Sequence, residues 1–156
     1  MTEDSCKVNA PNPGLGPPLV EGLWAGWSLW TTSEPFEDSV GPFYAKREPD
    51  GSMTCGFRPG AQSLNSAGVV HGGALATFAD YSLFTIAADR LLGMSAVTVS
   101  LNAEFVGSAR AGDLLTARGE VLRAGRSLVF VRGVIYAAGG PVLSFAGVLK
   151  ILHRKS

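Results

Sequence analysis

Residues 72–92, Gly-Gly-Ala-Leu-Ala-Thr-Phe-Ala-Asp-Tyr-Ser-Leu-Phe-Thr-Ile-Ala-Ala-Asp-Arg-Leu-Leu, decide the fold. They predict one long helix from about Gly72 to Leu92, ending before Gly93. Leu75, Ala79, Ser82 and Ile86 share one stripe, flanked by Phe78 and Leu83. Gly73, Ala76, Thr77, Asp80, Phe84 and Ala87 share another. A helix that is apolar almost all round is buried on most sides. Its one acidic side chain between Gly72 and Ala88 is Asp80. A carboxylate there is costly unless it is paired, hydrated or functional. Asp80 can also be structural, pointing to solvent or tying down a loop. The small residues a turn or two earlier, Gly73 and Ala76, leave room for a ligand and favour a functional role.

Four alternating runs follow the helix. Val97, Val99, Leu101, Ala103 and Phe105 fall on one face of the first. The others cover about 114–123, 127–137 and 142–152, with Ala124-Gly125 and Ala138-Gly139-Gly140-Pro141 between them. Upstream, Phe43–Arg47 and Met53–Phe57 flank the turn Glu48-Pro49-Asp50-Gly51. One long helix and about six strands joined by hairpin-type turns make an α+β domain with an antiparallel sheet. Leu23, Trp27 and Trp30 stand at i, i+4 and i+7, with Trp24 beside them, and predict a short amphipathic helix. Its Trp stripe either docks on the core or roofs an apolar pocket. Residues 1–20, rich in Pro, Gly and Asn, read as a loose arm. Residues 21–156 then form a single domain with a Trp-rich helical extension, without internal repeat.

Composition narrows the function. Of 156 residues, 46% are apolar and 17% charged, against about 25% charged in an ordinary domain. Few charges and 20 glycines suggest a surface partly covered by a second copy. Lys+Arg and Asp+Glu are both 13, so this is no dedicated nucleic-acid binder. Residues 107–156 nevertheless carry eight basic and two acidic side chains, a bias of +6. That bias is either solvated strand faces or a site for a small polyanionic ligand. Cys6 and Cys55 form no CxxC pair, and the opening residues show no signal-peptide pattern. No apolar run reaches about 18 residues, so a cytoplasmic chain without a membrane span is expected.

His71-Gly72-Gly73 opens the helix, where backbone N–H groups have no intrahelical partner. Bare backbone there lets a carbonyl oxygen approach an N–H, with the helix dipole favouring negative charge. Gly72 and Asp80 are eight residues apart, or about 12 Å along the axis. One Gly72 and the Asp80 of the same helix can hardly act on one carbonyl group. If they work together, they come from two subunits, with their helices side by side and antiparallel at a two-fold interface.

Asn65-x-x-Gly68-x-x-His71-Gly72-Gly73 followed by Asp80 closely resembles the hotdog-fold acyl-CoA thioesterases of the phenylacetate-degradation (PaaI-like) type. The likeness continues through Ala96-Val97-Thr98-Val99-Ser100-Leu101-Asn102-Ala103, Ser108-Ala109-Arg110-Ala111-Gly112-Asp113 and Gly125-Arg126-Ser127. Gly41-Pro42-Phe43-Tyr44 belongs to it too, and it covers about residues 40–152. The resemblance implies a long helix wrapped by a curved antiparallel sheet, an obligate homodimer and often a dimer of dimers. It implies hydrolysis of an acyl-CoA thioester, of a medium-chain or aryl acid, at the dimer interface. No cofactor is implied, since CoA is part of the substrate.

Asp80 then looks like the catalytic carboxylate, as general base on water or as nucleophile. Gly72 looks like the oxyanion-hole donor. Asn65 would help hold the water or the thioester, His71 would shape the loop and assist the carbonyl, and Thr98 would position water. Gly73 and Phe84 are candidates for the acyl site. Arg110, Arg123, Arg126 and Ser127 are candidates for the CoA phosphates. Read without the resemblance, Asn65 is equally a turn residue, His71 a loop histidine, Thr98 an ordinary strand residue and each arginine a solvated charge.

A thioester carbonyl is electrophilic and its thiolate leaves easily, so one carboxylate and one oxyanion donor suffice. No G-x-S-x-G elbow is present; Gly26-Trp27-Ser28-Leu29-Trp30 fails at the last position. No nucleotide-binding glycine fingerprint occurs, and His71 and His153 lack the neighbours of a metal site. Two other readings remain: a non-catalytic acyl-CoA-binding hotdog domain, which Asp80 argues against, and a hydratase, whose His–acid setting is not found.

Overall fold

The alternating runs form strands and the apolar run forms a helix in the computed structural model, which describes residues 14–152. Residues 1–13 of the expected arm, with Cys6, and the tail with His153, Arg154 and Lys155 lie outside the described residues. The elements are α1 (Pro35–Val40), β1 (Phe43–Arg47), β2 (Met53–Phe57), α2 (Gly72–Ile86), α3 (Ala88–Leu91), β3 (Ser95–Phe105), β4 (Leu115–Ala124), β5 (Leu128–Ala137) and β6 (Gly140–Leu152). The strands form one six-stranded antiparallel sheet in the order β1-β2-β4-β5-β6-β3. This is the hotdog arrangement, with β1 and β3 at the two edges.

Phe57, Leu115, Ile135, Leu143 and Leu149 on the sheet meet Phe78, Ala79 and Leu83 of α2, all fully buried. Each large side chain contributes about 1.5–3 kcal/mol by leaving water. The helix comes closest where the sheet carries glycine. A Cβ on Gly147 would collide with the Leu83 side chain and lie 2.9 Å from the Ser100 carbonyl oxygen. Among the described residues no helix is long and apolar enough to cross a membrane.

Three sequence expectations need correction. The long helix stops at Ile86 rather than Leu92. Ala87 has ψ near 7°, the ladder breaks, and α3 follows as a separate turn. The Trp-rich segment is no helix. Gly22 and Gly26 adopt left-handed φ of 80° and 83°, which the helix pattern cannot accommodate. The segment runs instead as turns and bridges, with Ser28 paired to Ala45 and Leu15 to Trp30. Trp24 stacks on Tyr44 at 4.0 Å and meets Trp27 edge-on at 5.2 Å. Both rings cover Gly56 on the outer face of β1 and β2, so this pair docks on the sheet and roofs no pocket on the helix side. Trp30 turns the other way and donates from Nε1 to Thr85 Oγ1 on α2 (3.3 Å).

The third correction is in β3. Thr98 pairs with Leu149 and Ser100 with Val148, so Val99 is bulged out. A bulge exchanges the faces of the strand on either side of it. Leu101 and Ala103 pack on the core as expected, but Val97 and Val99 are 43% and 58% exposed. Ala96 and Thr98 take the inward positions instead.

Candidate active site

The bulge gives Asp80 its partner. Thr98 Oγ1 donates to Asp80 Oδ1 at 2.6 Å. Paired without the bulge, β3 would turn Val97 and Val99 toward the helix and Thr98 away from it. Asp80 is half-buried, as is Phe84 one turn further along the same stripe. A hydroxyl donor and partial hydration are what a carboxylate in an apolar helix needs.

The start of α2 is built by its own loop. His71 is the N-cap, and its Nδ1 accepts from the Gly73 amide at 2.8 Å. That bond assigns the ring proton to Nε2. The His71 carbonyl accepts from Ala74, and its own amide donates to Ser63. The Gly73 and Ala74 amides are therefore occupied, whereas the Gly72 amide makes none of the hydrogen bonds found among the described residues. The Phe105 ring lies over Gly72. His71 is exposed, and its side chain serves the loop-shaping part of its expected role.

Asn65 folds the loop before the helix. Its Oδ1 accepts from the amides of Ala67 (2.9 Å) and Val69 (3.3 Å), and its carbonyl accepts from Gly68. Only the Nδ2 amide remains for a ligand. α2 is unbroken from Gly72 past Asp80, so the two stay about 12 Å apart within one chain.

The basic candidates are not brought together in one chain. Arg110 is exposed in the loop after β3, where it bridges Val69, and its amide donates to Asp113 Oδ2. Arg123, Arg126 and Ser127 cluster with Leu122, Leu128 and Phe130 at the β4–β5 turn. β4 and β5 are each 10 residues long, which puts the two ends about 30 Å apart.

Sequence reasoning missed Glu37 and Tyr81. Glu37 lies in the first turn of α1, a helix signalled by Pro35 and the acids Glu37 and Asp38. Burial first, then the negative charges of Glu34, Asp80 and Asp38, push its carboxyl up to about 7. Tyr81 is 3% exposed, and among the described residues its hydroxyl has no hydrogen-bond partner of good geometry. The Thr85 hydroxyl and Trp30 indole beside it bond to each other. The Cys55 thiol is fully buried and pushed up to about 12 by that burial, so it supplies no thiolate at neutral pH.

Comparison with known proteins fits this geometry. Residues 67–144 match the family model described as Thioesterase superfamily. A Pseudomonas aeruginosa protein provisionally named as an esterase, PA0474, is 31% identical over 120 residues, covering 76% of this chain and 90% of its own. BH2602 of Bacillus halodurans, solved with CoA, has a TM-score of 0.69 at 24% identity over 80% of this chain and 83% of its own. A point mutant of the phenylacetic acid degradation protein PaaI from Thermus thermophilus has a TM-score of 0.66 at 24% identity, covering 76% of this chain and 100% of its own. The two solved structures share the fold.

Proposed function

The chain belongs to the thioesterase superfamily, and we propose that it hydrolyses a medium-chain or aryl acyl-CoA at a site shared by two copies of the chain. The observation that carries this reading is the 2.6 Å hydrogen bond holding Asp80 in the middle of an apolar helix. Asp80 takes a proton from water as the water oxygen attacks the thioester carbonyl, or attacks that carbon itself to form a mixed anhydride that water then hydrolyses to the free acid and the Asp80 carboxylate. The oxyanion is received by the N–H of Gly72 of the partner subunit, because no single helix spans both roles. The C–S bond then breaks and the CoA thiolate leaves with the electron pair. Thr98 fixes the carboxylate, His71 and Asn65 fix the loop that presents Gly72, and Gly73 and Phe84 border the acyl site.

The position of β3 at an open sheet edge supports the same assembly. β3 is an edge strand with exposed Val97 and Val99. Antiparallel pairing about a two-fold axis would set the Arg110 end of one copy beside the end of the other that carries Arg123, Arg126 and Ser127. Both groups would then be available to the phosphates of one CoA, the ligand with which BH2602 was solved. A dimer of dimers built on this pair is part of the proposal.

Free-thiol release from acetyl-, hexanoyl-, lauroyl-, phenylacetyl- and benzoyl-CoA tests the activity. Turnover on at least one ester should fall about 10²–10⁴-fold in Asp80→Asn. Silence across the panel, with the esters still bound, would favour a non-catalytic acyl-CoA-binding domain.

A further inference from the structure

β3 runs antiparallel to α2, and the two elements touch at both ends of the candidate site. At one end the Thr98 hydroxyl reaches Asp80 at 2.6 Å. At the other the Phe105 ring lies over Gly72, its nearest carbon 3.3 Å from where a Cβ on that glycine would stand. Phe105 is the last β3 residue paired to β6, opposite Leu143. Leu101 and Ala103, earlier on the same strand, pack on the core, and alternation turns Phe105 to the same face. Yet α2 begins at Gly72, and Phe105 overhangs this end while remaining 55% exposed. An aromatic ring on the inner face of a sheet, left this open, adds little to the core of its own chain.

We propose that Phe105 is a positioning residue of the shared active centre, whose ring shields the Gly72 amide of its own chain from water while that amide serves Asp80 of the partner subunit. The proposal rests on the thioesterase reading above, with one site built by two copies. Gly72 and Phe105 are in contact, so whatever carries Gly72 to the other copy's carboxylate carries the ring as well. Phe105 cannot serve the Asp80 of its own chain. It stands seven residues beyond Thr98, about 20 Å along an extended strand. An N–H open to water is already solvated, and its hold on a developing oxyanion is weakened by the high dielectric around it. A ring set beside the Gly72 amide excludes water from that side and limits the freedom of the glycine. Phe105 acts through Gly72 and makes no bond to the reacting carbonyl.

The test uses the full chain with hexanoyl-CoA and phenylacetyl-CoA, for wild type, Phe105→Ala, Phe105→Leu and Asp80→Asn. Phe105→Ala should lower kcat about tenfold on both esters and change KM less than about threefold. Phe105→Leu, which still excludes water, should restore most of the rate. Phe105→Ala co-refolded in equal amounts with Asp80→Asn should recover about a quarter of the wild-type rate, because half the dimers then join one chain's Asp80 to the other's Gly72 and Phe105. Recovery of only about a twentieth, with hybrids present, would place the ring with the Asp80 of its own chain and overturn the proposal. An unchanged kcat in Phe105→Ala would overturn it too. Exchange of the Gly72 amide with water, followed by NMR, does not depend on turnover and should be about tenfold faster in Phe105→Ala. Equal exchange rates would overturn the proposal even if no ester is hydrolysed. Turnover retained in Asp80→Asn would sink the thioesterase reading instead, and the exchange rates would still report on the ring.

Discussion

One face of α2 is closed and the other is open. On the closed face Ala79, Ser82 and Leu83 are fully buried, the Ser82 hydroxyl donates a hydrogen bond to the Phe78 carbonyl, and the sheet yields space through glycine. On the open face Thr77, Asp80 and Phe84 are half-buried, and Asp80 takes its hydrogen bond from another element. Fifteen residues thus carry two kinds of information. Those pressed into the sheet determine whether the chain folds. Those left uncovered determine what the folded chain can hold. The open face is also unfinished on the proposed reading, since the Gly72 amide left over at the helix start lies about 12 Å along the axis from Asp80.

The contrast can be broken most severely by mixing two dead proteins. Asp80→Asn and Gly72→Pro should each retain less than about 1% of thiol release. Co-refolded in equal amounts, they should recover about a quarter of wild-type activity, because half the dimers carry one intact crossed site. Absence of recovery, with hybrids shown by mass spectrometry, would mean that a second copy does not complete the open face.

The closed face is probed by Gly147→Ala. Its new methyl must displace Leu83 and the Ser100 carbonyl, and urea unfolding should show a loss of about 1–3 kcal/mol. Turnover per folded molecule should change much less than stability does. The smallest effect is expected from Thr98→Val, which removes the 2.6 Å hydrogen bond while keeping the shape. A loss of about 1.4 kcal/mol in transition-state stabilisation would lower kcat about tenfold. A variant that lost stability but kept its rate would assign Thr98 to the closed face instead.

The sheet and the helix were legible because their signals are periodic. Alternation and turn residues located β1 and β2 to the residue and the other four strands to within about two. Asp80 was legible because a lone carboxylate contradicts an apolar helix. Other features were hidden for physical reasons. The spacing of Leu23, Trp27 and Trp30 fits a helix, but Gly22 and Gly26 turn the backbone left-handed, and tertiary stacking on Tyr44 then fixes the rings. α1 is six residues long, too short for a periodic signal, and only its Pro and first-turn acids announce it. Glu37 went unseen with it, because its relation to Asp80 exists only in three dimensions. The roles of Gly72, Asn65 and His71 were named by likeness to a family. The structure adds that His71 and Asn65 are loop-building side chains, and that the Gly72 amide is left over once they have formed the loop.

The bulge at Val99 makes the chemistry of this chain depend on counting. Valine stands on both sides of Thr98, so the strand reads as unbroken alternation, and nothing in its composition marks the slip. Pairing β3 without the bulge would leave it a better-formed strand, with its downstream pairing to β6 intact. It would also replace the hydroxyl facing Asp80 with a valine side chain. A shift of one residue in the pairing upstream of Ser100 would therefore keep the architecture and change the company of the carboxylate. A one-residue slip of register at this place would act on function the way point substitutions do elsewhere.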